Sequence, residues 1–532
     1  VAELQGASVA FGFLCGRDYE TKKRVAADRS GFDLLAARKR TFSFRPKTDP
    51  AHAPVVGIPA GLHLFEDLPL WRKFFDELGI AVLTGEGDAD ALTEGKRLSK
   101  AEFCAPTAAF FGQVRHLARR ADWVFSPLYL DHRSREKDRR RQFCYYTQYA
   151  PVLAREAAGQ DCRQRVLTPL LYYLYTPFQT KIALYRCLKK AFGARIRFRD
   201  VSAAYERSLE FHRAARAALV EQYRQKSERG KKLHVVLLGR PYTVLSEAMN
   251  KKIPGLFGRQ GIRAFFQDML PAAPAGPQVG AVVDKELHWH YAARVLAAAE
   301  TVAQTPGAYP VLITSFKCAP DSFAAEYFKH LMESFGKPYL ILQLDEHDSR
   351  VGYETRIEAA VRSFRNHFDA GTRPAEPAPV CFSPVERPAL QRKTLFLPNW
   401  DPLSIRLIAA ALGHEGFDAR VLEENRRNIG KSLRRNTGQC LPLNIITQDF
   451  VDTVRREGCD PADTALWIPR STIACNIRLY PLHISRLLAE IGGGFERAGI
   501  YTGPVSFSAL SSRLPIRVFL AYMLGGLLRK AG

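Results

Sequence analysis

One structural unit occurs three times in this 532-residue chain and constrains its fold more than any other feature. Each copy runs from a short apolar strand through a turn with Pro or Gly and an amphipathic helix into a second strand; the copies are 54–83, 234–266 and 394–421. Each helix ends near a glycine that suits a left-handed C-cap, at Gly79, Gly261 and Gly416. A crossover of this length predicts an α/β fold with parallel sheets covered by helices on both faces.

The spacing of these copies predicts three α/β units. We expect a first unit with a helical extension over 1–230, its helices filling 167–192 and 203–229, and a second unit over 231–370. Residues 371–392 form a linker, because five prolines fall between Gly371 and Pro388. The third unit covers 393–532. Because the sequence begins at Val1, we also expect it to be processed or part of a longer polypeptide.

Apolar runs and charge restrict where the protein works and what it binds. No apolar run reaches the ~18–20 residues that span a bilayer, and no secretion signal precedes the first unit, so we expect a cytoplasmic protein without membrane contact. The net charge of +23 suits nucleic acid, coenzyme A or an acidic protein. Arg outnumbers Lys, which can reflect the composition of the source genome, so the positive charge is weak evidence for nucleic-acid binding. The sequence also lacks a nucleic-acid-binding motif, and we therefore do not expect nucleic acid as a partner. The basic segment 132–141 could dock an acidic partner or the CoA diphosphate, but a solvated surface is favoured.

The ten cysteines are too sparse for a disulfide scaffold, but four of them form a repeated pattern. Cys104 and Cys440 each stand in Cys-x-Pro before a predicted helix. A strand ending in Pro follows, and then Cys144 or Cys475, so the two pairs are separated by 40 and 35 residues. Cys318 occupies the same place after the strand at 311–315.

This pattern suits thiolate ligands of a metal. The positive end of a helix stabilises a thiolate at its start, and proline in the first turn costs no hydrogen bond. Single cysteines after strands are more often core residues, but the repetition favours metal ligands. Zinc is the competing metal, although no close Cys-x-x-Cys or Cys/His pair supports it. Cys162, Cys187, Cys381 and Cys459 lie in helix or linker contexts and are interpreted as structural.

Several longer motifs carry a family resemblance over nearly the whole chain. They are residues 14–20 (LCGRDYE), 57–59 (GIP), 101–106 (AEFCAP), 239–242 (GRPY), 252–254 (KIP), 268–271 (DMLP), 318–323 (CAPDSF), 345–347 (DEH) and 355–359 (TRIEA). Together they resemble the large-protein branch of the 2-hydroxyacyl-CoA dehydratase and CoA-substrate-specific enzyme activase family, including its double-cubane-cluster relatives. The sequence departs from that family at Cys318, where CGPD reads CAPD, and at Gln439, where Glu is common.

The resemblance implies tandem flavodoxin/Rossmann-like units and cysteine-ligated iron–sulfur clusters, either [4Fe–4S] or double-cubane. It implies low-potential electrons from an ATP-hydrolysing activase, used for acyl-CoA dehydration or reduction of a small substrate. The chain would then be a dehydratase-like lyase or an ATP-dependent reductase component, as a homo- or heterodimer. ATP would bind only to a partner or to an activase domain outside this sequence, since the chain has no phosphate-binding glycine loop of that type. The third ligand beside Cys440 and Cys475 is expected to be Cys15 or a cysteine beyond Gly532.

Two further sites and two further functions stay open. Gly239, Arg240 and Tyr242 follow a strand and could cradle a phosphate or carboxylate of a cofactor, or simply form a tight turn. Residues 345–347 could transfer protons, but a polar strand end is favoured. The alternative function is a non-catalytic scaffold that docks activase and dehydratase through structural cysteines; a third is nucleic-acid binding.

Overall fold

The computed structural model describes residues 2–4, 7–9, 32–132, 141–172, 176–227, 232–271, 286–345, 350–371, 384–435, 440–470 and 475–531. The chain forms two compact units, Val1–Ala281 with His288–Ala378, and Val282–Leu287 with Pro379–Gly532. The first compact unit contains the first two predicted α/β units and the second contains the third. The predicted domain boundaries themselves stay predictions.

The first compact unit begins with two short antiparallel strands, β1 (Ala2–Leu4) and β2 (Ala7–Val9), and helix α1 (Leu34–Thr41). The first large sheet has the parallel order β4-β3-β5-β7. Its elements are β3 (Val55–Ile58), α2 (Leu62–Glu77), β4 (Ala81–Thr84), α3 (Ala91–Leu98), α4 (Ala105–Arg120), β5 (Trp123–Phe125), α5 (Tyr145–Ala157), α6 (Gln160–Arg163) and β7 (Val166–Leu167). A small parallel pair consists of β6 (Leu128–Tyr129), which follows β5, and β8 (Leu170–Tyr172), which follows β7.

Two helices, α7 (Pro177–Phe192) and α8 (Phe198–Lys226), lead to the second sheet, which has the parallel order β10-β9-β11-β12. Its elements are β9 (His234–Gly239), α9 (Pro241–Val244), α10 (Ile253–Arg259), β10 (Arg263–Phe266), α11 (His290–Gln304), β11 (Ala308–Ser315), α12 (Ala319–Ser334), β12 (Leu340–Leu344) and α13 (Arg350–Asp369). Strands β9 and β11 are buried along their whole length, as expected for central strands covered on both faces.

The second compact unit contains a third parallel sheet in the order β14-β13-β15-β16. Its elements are α14 (Arg387–Leu390), β13 (Thr394–Leu397), α15 (Pro402–His414), β14 (Ala419–Val421), α16 (Arg427–Arg435), α17 (Leu441–Glu457), β15 (Thr464–Pro469), α18 (Tyr480–Ile491), β16 (Gly499–Gly503) and α19 (Leu514–Ala531). All three large sheets therefore have their strands in the chain order second, first, third, fourth.

The structure confirms the predicted α/β fold with parallel sheets between helices. Gly79, Gly261 and Gly416 follow their helices with φ of +68°, +73° and +85°, as the left-handed C-cap requires. Each sheet has its own apolar core, represented by Trp71, Phe265 and Trp467. No helix in the described part of the chain is long and apolar enough to cross a membrane.

One predicted helix is shorter than expected. Residues 167–176 were expected to open the helix that ends at Phe192, but β7 and β8 occupy this segment and α7 begins at Pro177. The physical reason is a strong helix N-terminus at Thr176, which the apolar pattern of the segment does not reveal. The Thr176 hydroxyl accepts the Gln179 N–H, while the Gln179 side chain accepts the Thr176 N–H, which is a capping box with proline in the first turn.

Candidate functional site

All five described cysteines that the sequence pattern singled out are N-cap residues. Four of them precede α-helices, and the fifth precedes a 3₁₀ turn: Cys104 (α4), Cys144 (α5), Cys318 (α12), Cys440 (α17) and Cys475 (Asn476–Leu479). An N-cap side chain lies against the unpaired N–H groups of the first turn, at the positive end of the helix dipole. The local sequence thus places each of these thiols at the N-terminal end of a helix or helical turn.

The cysteines occupy repeated places in the topology. Cys104 and Cys440 begin the helices between the second and third strands of their sheets. Cys144, Cys318 and Cys475 all follow the third strand, β5, β11 and β15 respectively. In this strand order the chain leaves the first strand towards one edge of the sheet and leaves the third strand towards the other edge. The carboxyl ends of the first and third strands therefore border the crevice where α/β sheets bind ligands.

In the first compact unit, Cys104, Cys144 and Cys318 lie close enough to affect one another's ionisation. Burial raises the pKa of the Cys104 thiol, and the charge of Cys144 raises it further. Burial also raises the pKa of Cys318 well above its ordinary value, with added contributions from Cys144 and Cys104. The carboxyl ends of β5 and β11 and the start of α4 therefore bring three thiols into one shared site.

A buried arginine supplies the positive charge of this site. Arg240 follows β9, the first strand of the second sheet, and its charge lowers the pKa of both Cys104 and Cys318. Its side chain is 3% exposed, and its Nε and Nη2 donate to Asp321 Oδ1 at 2.9 and 2.8 Å. Asp321 lies in the first turn of α12, three residues after Cys318, and also accepts from Thr314.

The glycine before this arginine is required by the backbone. Gly239 has φ of +147°, and a Cβ there would lie 2.2 Å from the carbonyl oxygen of Ile313 on the neighbouring strand. Arg240 Nη1 donates to the Tyr242 hydroxyl at 3.0 Å. The predicted cofactor-binding role of Gly239, Arg240 and Tyr242 stays a prediction. The contacts show a guanidinium that is bound by Asp321 and Tyr242 and whose charge acts on Cys104 and Cys318.

Hydroxyl groups contact two of the thiols, a feature that sequence reasoning missed. Cys104 Sγ lies 3.2 Å from Thr107 Oγ1, and Cys144 Sγ lies 3.2 Å from Thr147 Oγ1. The sequence signal for these contacts was the spacing Cys-x-x-Thr, to which Cys-x-x-Asp corresponds at Cys318 and Asp321. The third residue of a helix faces back to the N-cap residue, so its side chain can reach the thiol.

The rim of the site is aromatic and partly exposed. Tyr145, Tyr146 and Tyr149 of α5 and Phe316 before Cys318 are exposed by 40–53%. An ion pair of 2.8 Å between Lys317 and Glu102 joins the segments that precede Cys318 and Cys104. The residues Cys104, Cys144 and Cys318 are themselves half-buried.

The second compact unit brings two predicted ligands together. Asn476 Nδ2 lies 3.9 Å from Cys440 Sγ. Burial raises the pKa of Tyr480, and the charges of Cys440 and Cys475 and a hydrogen bond to Cys440 raise it further. Tyr480 therefore neighbours both thiols. Cys15, the candidate third ligand, lies outside the described residues.

The remaining candidates are separate from these sites or fall outside the description. Cys162 is buried and contacts Ala118 O, and burial raises the pKa of Cys187 in α7 to about 12. Cys381, Glu346, His347 and residues 133–140 are outside the described residues, while Asp345 N–H donates to Tyr353. Within the described ranges, no group of three or more His, Cys, Asp or Glu side chains could hold a single metal ion.

Comparison with known protein families gives a match over part of the chain. Residues 55–270, which are 216 of the 532, match the family model described as CoA enzyme activase uncharacterised domain. This match includes the segments of Cys104, Cys144 and Arg240 and supports a relation to CoA enzyme activase-related proteins over that part of the chain. No curated protein is significantly similar to the chain.

Proposed function

We propose that this protein is an iron–sulfur redox component of a CoA enzyme activase system. The observation that carries the proposal is the group of three N-cap thiols, Cys104, Cys144 and Cys318, around the buried charge of Arg240. The match of residues 55–270 to a CoA enzyme activase family model also supports a role in such a system.

The donor set fits an iron–sulfur cluster better than a single ion. Thiolates are the usual ligands of iron–sulfur clusters and are softer than the oxygen and imidazole ligands of most mononuclear sites. Cluster thiolates each bind a different iron, so they lie farther apart than the ligands of one ion. Three ligands would leave one position open for a further ligand or a substrate.

The surrounding residues would tune such a site. A bound [4Fe–4S] cluster accepts and releases one electron, and its potential depends on nearby charge and hydrogen bonds to sulfur. Arg240 would offset part of the negative charge of the thiolates, and its ion pair with Asp321 keeps the guanidinium in place. Thr107 and Thr147 would each donate a hydrogen bond to a thiolate sulfur.

The finer function follows from the resemblance. Electrons would come from an ATP-hydrolysing activase, either a partner or a domain outside this sequence. They would serve the dehydration of a 2-hydroxyacyl-CoA or the reduction of a small substrate. Cys440 and Cys475 would contribute to a second cluster or to a double-cubane centre, with Cys15 as a further ligand.

The test is the iron and acid-labile sulfide content of protein purified without oxygen, with absorption and electron paramagnetic resonance spectra before and after dithionite. Single Cys→Ser variants at 104, 144 and 318 are compared with Cys459→Ser, a cysteine outside both groups. We expect about four irons with matching sulfide for the first site, lost in each of the three variants and kept in Cys459→Ser.

Two results would contradict the proposal. One is colourless, iron-free protein that cannot be reconstituted with iron and sulfide. The other is iron content that all three variants retain while remaining folded by circular dichroism. Either result favours the non-catalytic scaffold, with structural cysteines.

A further inference from the structure

The last described helix, α19 (Leu514–Ala531), carries two apolar stripes on opposite faces. The buried stripe consists of Leu514, Val518, Ala521 and Gly525. The second stripe, which we call the outer seam, consists of Ile516, Leu520, Met523 and Leu527, exposed by 67, 57, 51 and 61%. Both stripes have the spacing four, three, four. That is the heptad spacing of a helix that packs along another helix.

The inner stripe already has its partner within the same compact unit. A Cβ on Gly525 would lie 2.2 Å from Ser404 Oγ at the start of α15, so α19 and α15 approach closely there. Arg517 pairs with Glu415 at 2.7 Å, and Arg529 pairs with Asp401 at 2.6 Å. These contacts hold both ends of α19 on α15 and leave the outer seam on the opposite side of the helix.

The outer seam is as large as the biggest apolar patches on monomeric proteins, which are often functional. Phe519, Leu524 and Leu528 border it and are exposed by 62, 47 and 48%. Seven large side chains about half exposed give an apolar area of roughly 600 Å², near the upper end of patches on monomers. A helix that is apolar on both faces is normally covered on both. The area is also close to the ~800 Å² that each partner buries in a standard protein interface.

We propose that the outer seam pairs with the same seam of a second copy of this chain, antiparallel about a twofold axis. The seam is complementary to itself in this arrangement. Ile516 of each copy lies opposite Leu527 of the other, and Leu520 lies opposite Met523, so every layer joins two large apolar side chains. A twofold interface requires this property, since each contact occurs twice with the residues exchanged.

The outer seam itself contains no charged side chain. Between Ile516 and Leu528 the helix has a single charged residue, Arg517, and its guanidinium is paired with Glu415 of the same chain. Dimer formation through the outer seam therefore buries no unpaired charge, which is the usual obstacle to close helix pairing. The proposal is independent of the iron–sulfur function, because α19 carries no cysteine.

The test measures the oligomeric state of the full chain by sedimentation velocity over a range of concentrations. We expect a dimer. The double variant Leu520→Lys with Met523→Lys places like charges opposite each other and should weaken dimerisation by at least about 100-fold. The double variant Leu520→Lys with Met523→Glu places Lys opposite Glu in the antiparallel pair and should restore much of it. In a parallel pair the same variant would place Lys opposite Lys and Glu opposite Glu, and dimerisation would not be restored.

The matched control is Val505→Lys with Phe178→Lys, two exposed apolar residues outside α19, which should leave the dimer unchanged. Circular dichroism checks that each variant is folded. A monomeric wild-type protein overturns the proposal, and so does a dimer that Leu520→Lys with Met523→Lys leaves intact. A monomer that binds anionic phospholipid vesicles through α19 would assign the seam to a membrane surface instead.

Discussion

Replacing Asp321 by Ala should strongly destabilise the first compact unit, because it leaves the Arg240 guanidinium buried without a counter-ion. Arg240 and Asp321 are 3% and 7% exposed, and the carboxylate accepts from two guanidinium nitrogens and from Thr314. Removing one partner of a buried ion pair costs about 3–5 kcal/mol. A domain stability of about 5–15 kcal/mol would therefore fall by about a fifth or more.

The assay is urea unfolding of metal-free protein, followed by tryptophan fluorescence. Trp71, Trp123 and Trp289 report on the first compact unit, and Trp400 and Trp467 report on the second. Only the transition of the first unit should move to lower urea. As a control, Glu354→Gln removes an exposed ion pair with Arg259 and should leave the transition unchanged within error.

A double-mutant cycle separates the charge effect from lost packing. Arg240→Met combined with Asp321→Leu removes both charges, and should be less destabilising than Asp321→Ala alone. The reasoning is refuted if Asp321→Ala shifts the unfolding free energy by less than about 1 kcal/mol. It is also refuted if the unfolding free-energy changes of the single variants Arg240→Met and Asp321→Leu add up to that of the double variant.

Two further predictions concern backbone strain and pH. Gly239→Ala should lower the stability of the first unit by about 2–4 kcal/mol in thermal unfolding, because its Cβ would lie 2.2 Å from Ile313 O; Gly255→Ala, with open space around its Cβ, is the control. Burial and the neighbouring charge of Glu66 raise the pKa of Asp67 from 3.8 to about 6, so its folded form binds the proton more tightly than the unfolded chain. The wild type should then lose about 2 kcal/mol relative to Asp67→Asn between pH 4 and 7.5, and unfolding of both proteins at these two pH values would show no such change if the reasoning is wrong.

The predicted fold could be derived from the sequence because its signals are local and repeated. Alternating strands and amphipathic helices with a left-handed glycine after the helix predicted the parallel units, and Gly79, Gly261 and Gly416 adopt the expected backbone. The length of α7 was wrong because an apolar run does not distinguish a strand from a helix. The capping box at Thr176 was the better signal there.

The sequence by itself determined that Cys104 and Cys440 precede helices and that Cys144, Cys318 and Cys475 follow strands, since Cys-x-Pro and the ends of apolar runs are local patterns. It did not determine which of them share a site, because residues more than 200 positions apart meet only through the order of the strands in the sheets. The pairing of Arg240 with Asp321, 81 residues later, likewise depends on β9 and β11 being neighbours. The outer seam of α19 was visible only as an apolar segment, and only the packing of the opposite face on α15 showed which side chains remain uncovered.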